Sequence, residues 1–248
     1  MSGHNKWSTI KHKKGKADAV RGRIFTKLIK EITIAARLGG GDAAGNPRLR
    51  KAVSDARANN MPIENIGRAI KKGTGELEGV AYEEVTYEGY GPGGTAILVD
   101  VMTDNRNRSI TDVRIVFNKI GGKIAEPGAV SYLFSTVGQI FIDKTKMGED
   151  EMMMTALDAG ASDVSDDGEQ WLITTDYADL WTVREKLEGL GLVVADSKIA
   201  KVSSTTIELS GKDAEQAMRI VDALDDLDDV QNVWSNFDID DETAAQLS

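Results

Sequence analysis

Between residues 23 and 38 the apolar positions Phe25, Leu28, Ile29, Ile32 and Ala36 recur at helical spacing and predict a helix with one buried face. Arg23, Lys27, Lys30 and Arg37 fall within about 80° of one another on the opposite face, which predicts an exposed basic stripe. Gly39-Gly40-Gly41 stops this helix. A second one begins after Asn46, a capping residue followed by Pro47 at the first helical position, and carries Leu49, Val53 and Ala56 as its stripe. Met61-Pro62 opens a third, with Ile63, Ile66 and Ile70 inward and Gly73 at its end. Residues 23–78 therefore read as a small three-helix bundle. Residues 1–22 show no sustained apolar period and read as a basic arm, mobile or loosely helical.

The texture changes from residue 79. Residues 82–90 and 95–103 read as strands joined by the turn Gly91-Pro92-Gly93-Gly94. A helix follows at 107–120, with Ile110, Val113, Phe117 and Ile120 on one face and a capping-box-like Ser109…Asp112 at its start. One or two short strands lie between 123 and 136. Strand 137–143, helix 149–159, strands 161–165 and 170–175, helix 177–189 and strand 192–201 then give the β-α-β-β-α-β order of a ferredoxin-like unit. Strand 204–209, helix 212–225 and strand 229–237 complete the earlier strands. The expectation is an α+β multidomain chain with five parts: a basic arm at 1–22, the helical bundle at 23–78, a split α+β domain at 79–136 and 203–240, a ferredoxin-like domain inserted at 137–202, and an acidic tail at 241–248.

Composition narrows the class. Of 248 residues, 41% are apolar and 28% charged, too apolar for disorder. No apolar run approaches the roughly 18 residues needed to span a bilayer, so no membrane partner is expected. The first ten residues contain no apolar h-region, and the cytoplasm is the expected location. With no cysteine there is no disulfide, thiol nucleophile or thiolate metal site. A monomer is the default oligomeric expectation.

The net charge of −10 hides a division. Residues 1–75 carry 17 Lys+Arg against 5 Asp+Glu, a net of +12, while the remainder carries a net of −22. Nine of the basic groups lie in residues 1–30 beside one acid, Asp18. Beyond Arg219 there is no basic residue and nine acidic ones. Such asymmetry points to a polyanion held at the N-terminal end and repelled by the rest.

Motifs for catalysis do not withstand their context. Gly89-Tyr90-Gly91-Pro92-Gly93-Gly94 matches G-x-G-x-x-G, but a strand rather than a helix follows it, and Pro92 removes an amide. Lys14-Gly15-Lys16 and Lys72-Gly73-Thr74 lack the remaining parts of a P-loop. His4 and His12, the only histidines, sit among ammonium groups that oppose a cation, so no metal is expected. Asp225-Asp226 and Asp228-Asp229, at a helix end, read as a solvated acidic face. No enzyme and no cofactor are expected.

The candidate binding residues are accordingly Lys6, Lys11, His12, Lys13, Lys14, Lys16, Arg21, Arg23, Lys27 and Lys30, whose charges neutralise phosphates and release counterions. Trp7 is a candidate for stacking on an exposed base. Thr103-Asp104-Asn105-Arg106-Asn107-Arg108-Ser109 opens a helix and suits two uses: capping chemistry, or phosphate held by free amides with Arg106 and Arg108.

Several stretches together resemble the YebC/PmpR family, also called the TACO-type translational activators. They are Met1-Ser2-Gly3-His4-Asn5-Lys6-Trp7, Leu38-Gly39-Gly40-Gly41-Asp42, Asn46-Pro47-Arg48-Leu49-Arg50, Asn60-Met61-Pro62, Tyr87-Glu88-Gly89-Tyr90-Gly91-Pro92-Gly93-Gly94 and Thr103-Asp104-Asn105-Arg106-Asn107-Arg108. Arg48 and Arg50 join the candidate set from these motifs. The resemblance implies a helical domain with two α+β domains, one inserted in the other, and a non-enzymatic cytoplasmic regulator. Members are described as DNA-binding transcriptional regulators, others as translation factors on the ribosome. DNA is therefore the leading expected partner and ribosomal RNA the alternative.

Overall fold

A computed structural model describes residues 17–144, 147–240 and 243, with the backbone alone for residues 17–21. The described chain forms two compact units, one drawn from residues 5–131 and 206–248, the other from Tyr132–Thr205. The second therefore interrupts the first in sequence.

Three helices open the first unit: α1 (Ala17–Gly39), α2 (Pro47–Ala58) and α3 (Ile63–Thr74). The helix α1 starts six residues before the expected residue 23, so residues 17–22 of the expected arm are helical. Ala17, Ala19 and Val20 extend the helix, and Asp18 suits the positive end of its dipole. At α2, Asn46 caps as expected, its Oδ1 accepting from Leu49 N at 3.1 Å. Ile32, Ala35, Ala36, Leu49, Ala52, Ala56, Met61, Ile66 and Ala69 form the shared core. Ile63, expected inward, is 71% exposed; it is the first residue of α3, and burial begins one turn later at Ile66. The crossing of α1 and α3 depends on Gly73, where a Cβ would strike Thr33 O and lie 2.8 Å from Ala36 Cβ. A glycine read as a helix stop is thus a close-packing residue.

The rest of this unit carries β1 (Glu83–Tyr90), β2 (Ala96–Thr103), α4 (Arg106–Ile120), β3 (Lys123–Ala125), and later β8 (Ile207–Leu209), α7 (Gly211–Asp225), β9 (Val230–Ser235) and β10 (Phe237–Ile239). One antiparallel sheet runs β3-β1-β2-β9, and β8 with β10 makes a separate parallel pair. The strand expected at 229–237 is therefore two strands that serve different sheets. Asn236 divides them: its Oδ1 accepts from Ala96 N at 2.7 Å, and its carbonyl accepts from Ile207 N at 2.8 Å. Ile97, Val99 and Val101 on β2 pack against Val113 and Phe117 of α4 and Ile220 and Leu224 of α7. The helix α4 starts at Arg106 with Asn105 as its cap, accepting from Arg108 N at 3.1 Å. Ser109 and Asp112 form no capping box there; Ser109 is buried one turn in, for reasons given below.

The hairpin turn between β1 and β2 uses Gly93 at φ 65° and Gly94 at φ 76°, backbone that glycine alone adopts cheaply. At Gly93 a Cβ would also sit 2.8 Å from Leu209 Cδ2, whereas Gly94 faces open space. Gly93→Val is expected to cost about 1–3 kcal/mol, more than Gly94→Ala. Thermal denaturation of the two variants checks this; equal melting points would refute the packing argument at Gly93.

The second unit contains β4 (Phe134–Asp143), α5 (Glu149–Ala159), β5 (Asp163–Asp166), β6 (Gln170–Asp176), α6 (Leu180–Gly189) and β7 (Val194–Ser203). Its antiparallel sheet has the order β5-β6-β4-β7. Ile140, Ile142, Trp171 and Ile173 of the sheet meet Met152 and Ala156 of α5 and Leu180, Val183 and Leu187 of α6. Its two ends lie side by side: Phe134 is in register with Ser203, and Ser204 N donates to Leu133 O at 2.8 Å. Of the expected tail at 241–248, Thr243 alone is described; it is buried, and its N–H donates to Asp240 Oδ1 at 2.9 Å. No helix among the described residues is long and apolar enough to cross a membrane.

Candidate nucleic-acid interface

The basic stripe of α1 exists but is not open to solvent along its length. Lys30 Nζ donates to Asp229 Oδ1 at 2.5 Å and to Asp228 O at 2.8 Å. Lys27 Nζ donates to Asp225 O at 3.0 Å and Asp225 Oδ1 at 3.1 Å. Arg23 Nη2 lies 3.1 Å from Asp226 Oδ1. Lys30 is 5% exposed as a residue, and Ile34, one turn further and about 40° away around the helix, is fully buried. So α1 buries a second face beside its bundle stripe, and the expectation of an exposed Lys27–Lys30 face is corrected. The physical reason is charge: burial of an ammonium needs a carboxylate, and the last residue of α7 and the turn after it supply one to each. The expectation of a solvated acidic face is corrected at Asp225 and Asp229 by the same contacts, while Asp226 and Asp228 are exposed.

Asp229 is the centre of this arrangement. Its Oδ2 accepts from Ser109 Oγ at 2.6 Å, Arg108 Nη2 at 2.8 Å and Thr103 Oγ1 at 3.1 Å, while Lys30 holds Oδ1. Its backbone carbonyl accepts from Met102 N at 2.8 Å. Burial works against its charge, yet the hydrogen bonds from Lys30, Ser109 and Arg108 outweigh it and hold the pKa at about 2. The Tyr82 ring stands 5.7 Å from Lys30 Nζ, and its own pKa is raised by burial and by the carboxylates of Asp104 and Asp229. Sequence reading missed Asp229 because nothing in Asp228-Asp229 distinguishes a buried carboxylate from a solvated one. The available signal was Ser109, a polar residue on the inward face of α4.

The other candidates meet different partners. Arg48 forms a two-pronged bond to Glu31, at 2.6 and 3.0 Å, and reaches Glu84 at 2.7 Å. Burial opposes its charge, but both glutamates favour it and its pKa is raised. Arg50 is exposed and donates to Ala44 O at 3.2 Å. Arg106 pairs with Glu83 at 2.6 Å, and Arg108, beyond Asp229, with Asp104 at 2.7 Å. The 103–109 loop thus shows its capping chemistry, and its arginines face carboxylates. Lys6, Trp7, Lys11, His12, Lys13, Lys14 and Lys16 lie outside the described residues; so does the side chain of Arg21. Within the bundle, exposed cations that the candidate set omitted are Arg37, Arg57, Arg68, Lys71 and Lys72. Among the described residues no group of three or more His, Asp or Glu is placed to hold a metal ion.

Comparison with known proteins covers nearly the whole chain. Residues 5–76 match the TACO1/YebC protein N-terminal domain, and residues 82–237 match the TACO1/YebC second and third domain. The chain is 57% identical to a probable transcriptional regulatory protein of Desulforapulum autotrophicum over 98% of each chain. With one of the same description from Geobacter sulfurreducens, identity is 56% over the full length of both. In structure it is similar to a conserved hypothetical protein from Aquifex aeolicus, with a TM-score of 0.83 and 47% identity, over 94% of this chain and 96% of that one. The two domain matches together take in the three helices and most of the α+β part of this chain. The chain belongs to the TACO1/YebC family.

Proposed function

We propose that the protein is a non-enzymatic, nucleic-acid-binding regulator of gene expression, a DNA-binding transcriptional regulator that holds phosphate through its basic arm and helical bundle. The carrying observation is the charge division: a net of +12 in residues 1–75 against −22 in the remainder. The structure adds a reason to favour some cations over others. Arg23, Lys27, Lys30, Arg48, Arg106 and Arg108 already face carboxylates. The proposed contacts are Lys6, Lys11, His12, Lys13, Lys14, Lys16 and Arg21, with Trp7 stacking, joined by the exposed Arg37, Arg50, Arg57, Arg68, Lys71 and Lys72. Relatives named as transcriptional regulatory proteins support the class. The reading takes the protein as a cytoplasmic monomer without cofactor. It comprises a three-helix bundle, a split α+β domain and an inserted domain whose strand order β5-β6-β4-β7 supports a ferredoxin-like description.

Phosphate contact makes affinity depend on salt. With about five contacts, log K against log salt should fall with a slope of about −4.5 on duplex DNA and about −3.5 on single strands. Binding should be alike for unrelated sequences, because phosphate contacts position without specifying. Fluorescence anisotropy across a salt series measures the slope, and ribosome co-sedimentation in the same buffers sets DNA against the ribosome. A slope near zero on duplex DNA would refute the electrostatic reading; binding to ribosomes alone would move the function to translation.

A further inference from the structure

We propose that the acidic C-terminal end of α7 and the turn following it are an internal stand-in for nucleic-acid phosphate, covering the Arg23–Lys27 part of the α1 stripe until a polyanion displaces it. The inference rests on the phosphate-binding reading above and concerns how that surface is regulated.

Arg23, Lys27 and Lys30 stand at i, i+4 and i+7, so three cations line one face over about 10 Å of helix. What meets them resembles a run of phosphate oxygens. Each lysine ammonium holds one carboxylate oxygen and one backbone carbonyl oxygen, Asp225 Oδ1 with Asp225 O and Asp229 Oδ1 with Asp228 O. Those carbonyls lie at the C-terminal end of α7 and just beyond it, where the helix dipole is negative.

The contact is graded. Side-chain exposure rises from 7% at Lys30 to 19% at Lys27 and 33% at Arg23. Their carboxylate partners follow the same gradient, from 11% at Asp229 through 32% at Asp225 to 61% at Asp226. The row of ion pairs is therefore shut at Lys30 and open at Arg23. Exposed pairs are screened and weak, so the open end is the one a competing polyanion can exchange. A cleft of about 800 Å³ runs from Arg23 and Asp226 to Lys30, Arg108 and Asp229, and beside Arg23 it gives a phosphate room to enter. The open end is also where α1 continues in sequence into Lys16, Lys14, Lys13 and Lys11. Along the chain, Arg21 and then Arg23 follow those lysines.

The test neutralises the two outer acids and leaves buried Asp229 alone. In anisotropy titrations with duplex DNA, Asp225→Asn/Asp226→Asn should bind about tenfold more tightly at 0.1 M salt, with a slope steeper by about 1–2. Asp226→Asn alone, at the most exposed position, should show about half that slope change. Asp150→Asn/Glu151→Gln on α5 changes net charge equally and should leave both values unaltered. Adding Arg23→Gln/Lys27→Gln should cancel the gain in the acid-neutralised protein, yet shift the otherwise unmodified protein less than about twofold. Equal binding by the unmodified and acid-neutralised proteins would overturn the stand-in while the phosphate reading stood. An equal gain from the α5 control would overturn it in favour of general repulsion. Binding by neither protein would overturn both readings, and binding by the acid-neutralised protein alone would support the stand-in.

Discussion

Replacing Asp229 by Ala is expected to destabilise the first unit by about 3–5 kcal/mol, because it leaves a buried ammonium and part of a guanidinium without their carboxylate. The melting temperature should fall on the order of 10 °C for a unit of this size. Lys30 is the residue that suffers, being 5% exposed with Asp229 as its carboxylate partner. Lys30→Met should therefore soften the effect: the double variant should lose less than the sum of the single losses. The same carboxylate gives a pH signature. Its pKa is held at about 2, below the ordinary 3.8, so the stability it contributes is complete above about pH 4. That contribution is lost as pH falls from about 4 towards 2. Acid titration of the unmodified protein and of Asp229→Ala measures the difference. A change of less than about 2 °C on substitution would show that the cluster is not the clamp its geometry describes.

Removing residues 1–16 is expected to leave the melting temperature nearly unchanged and to weaken DNA binding on the order of a thousandfold at 0.1 M salt. That figure corresponds to about four lost phosphate contacts, with the duplex slope flattened by about 3–4. The cut belongs at residue 16: α1 begins at Ala17, and removal up to residue 22 would take its first turns. The cores of both units are built from residues beyond that point. Circular dichroism and anisotropy on one preparation separate the two effects. A truncated protein that binds as tightly as the full chain would move the phosphate contacts to the bundle.

Sequence pattern located the start of α2, and α4 and the hairpin of β1 and β2, to within a residue or so, because each carries a buried face and a local cap or turn. It was less informative where two surfaces meet. α1 packs its bundle stripe inward and its basic stripe against the turn after α7, and a polar stripe in sequence is silent about whether water or a carboxylate faces it. The partners are nearly 200 residues apart, so no local pattern joins Lys30 to Asp229. The division of strand 229–237 was hidden for a similar reason. Asn236 looks like an ordinary polar position until Ala96 and Ile207 are brought to it. At the candidate interface, sequence supplied the sign of the charge and the end of the molecule. It did not say which cations were already neutralised.

The adjacency of Phe134 and Ser203 has a consequence for how the chain collapses. Val99 of β2 pairs with Val233 of β9, 134 residues later, a costly ring to close in a disordered chain. Once Phe134 and Ser203 are zipped together, the 74 residues from Tyr132 to Thr205 act as a single short link, and the ring shrinks to about 60 residues. The entropy penalty of closure drops by about 0.7 kcal/mol, roughly a threefold gain in the chance of the two strands meeting. The interrupting segment thus serves its host as a preassembled hairpin, and the folding nucleus of the outer sheet is reached sooner when the inner one forms first.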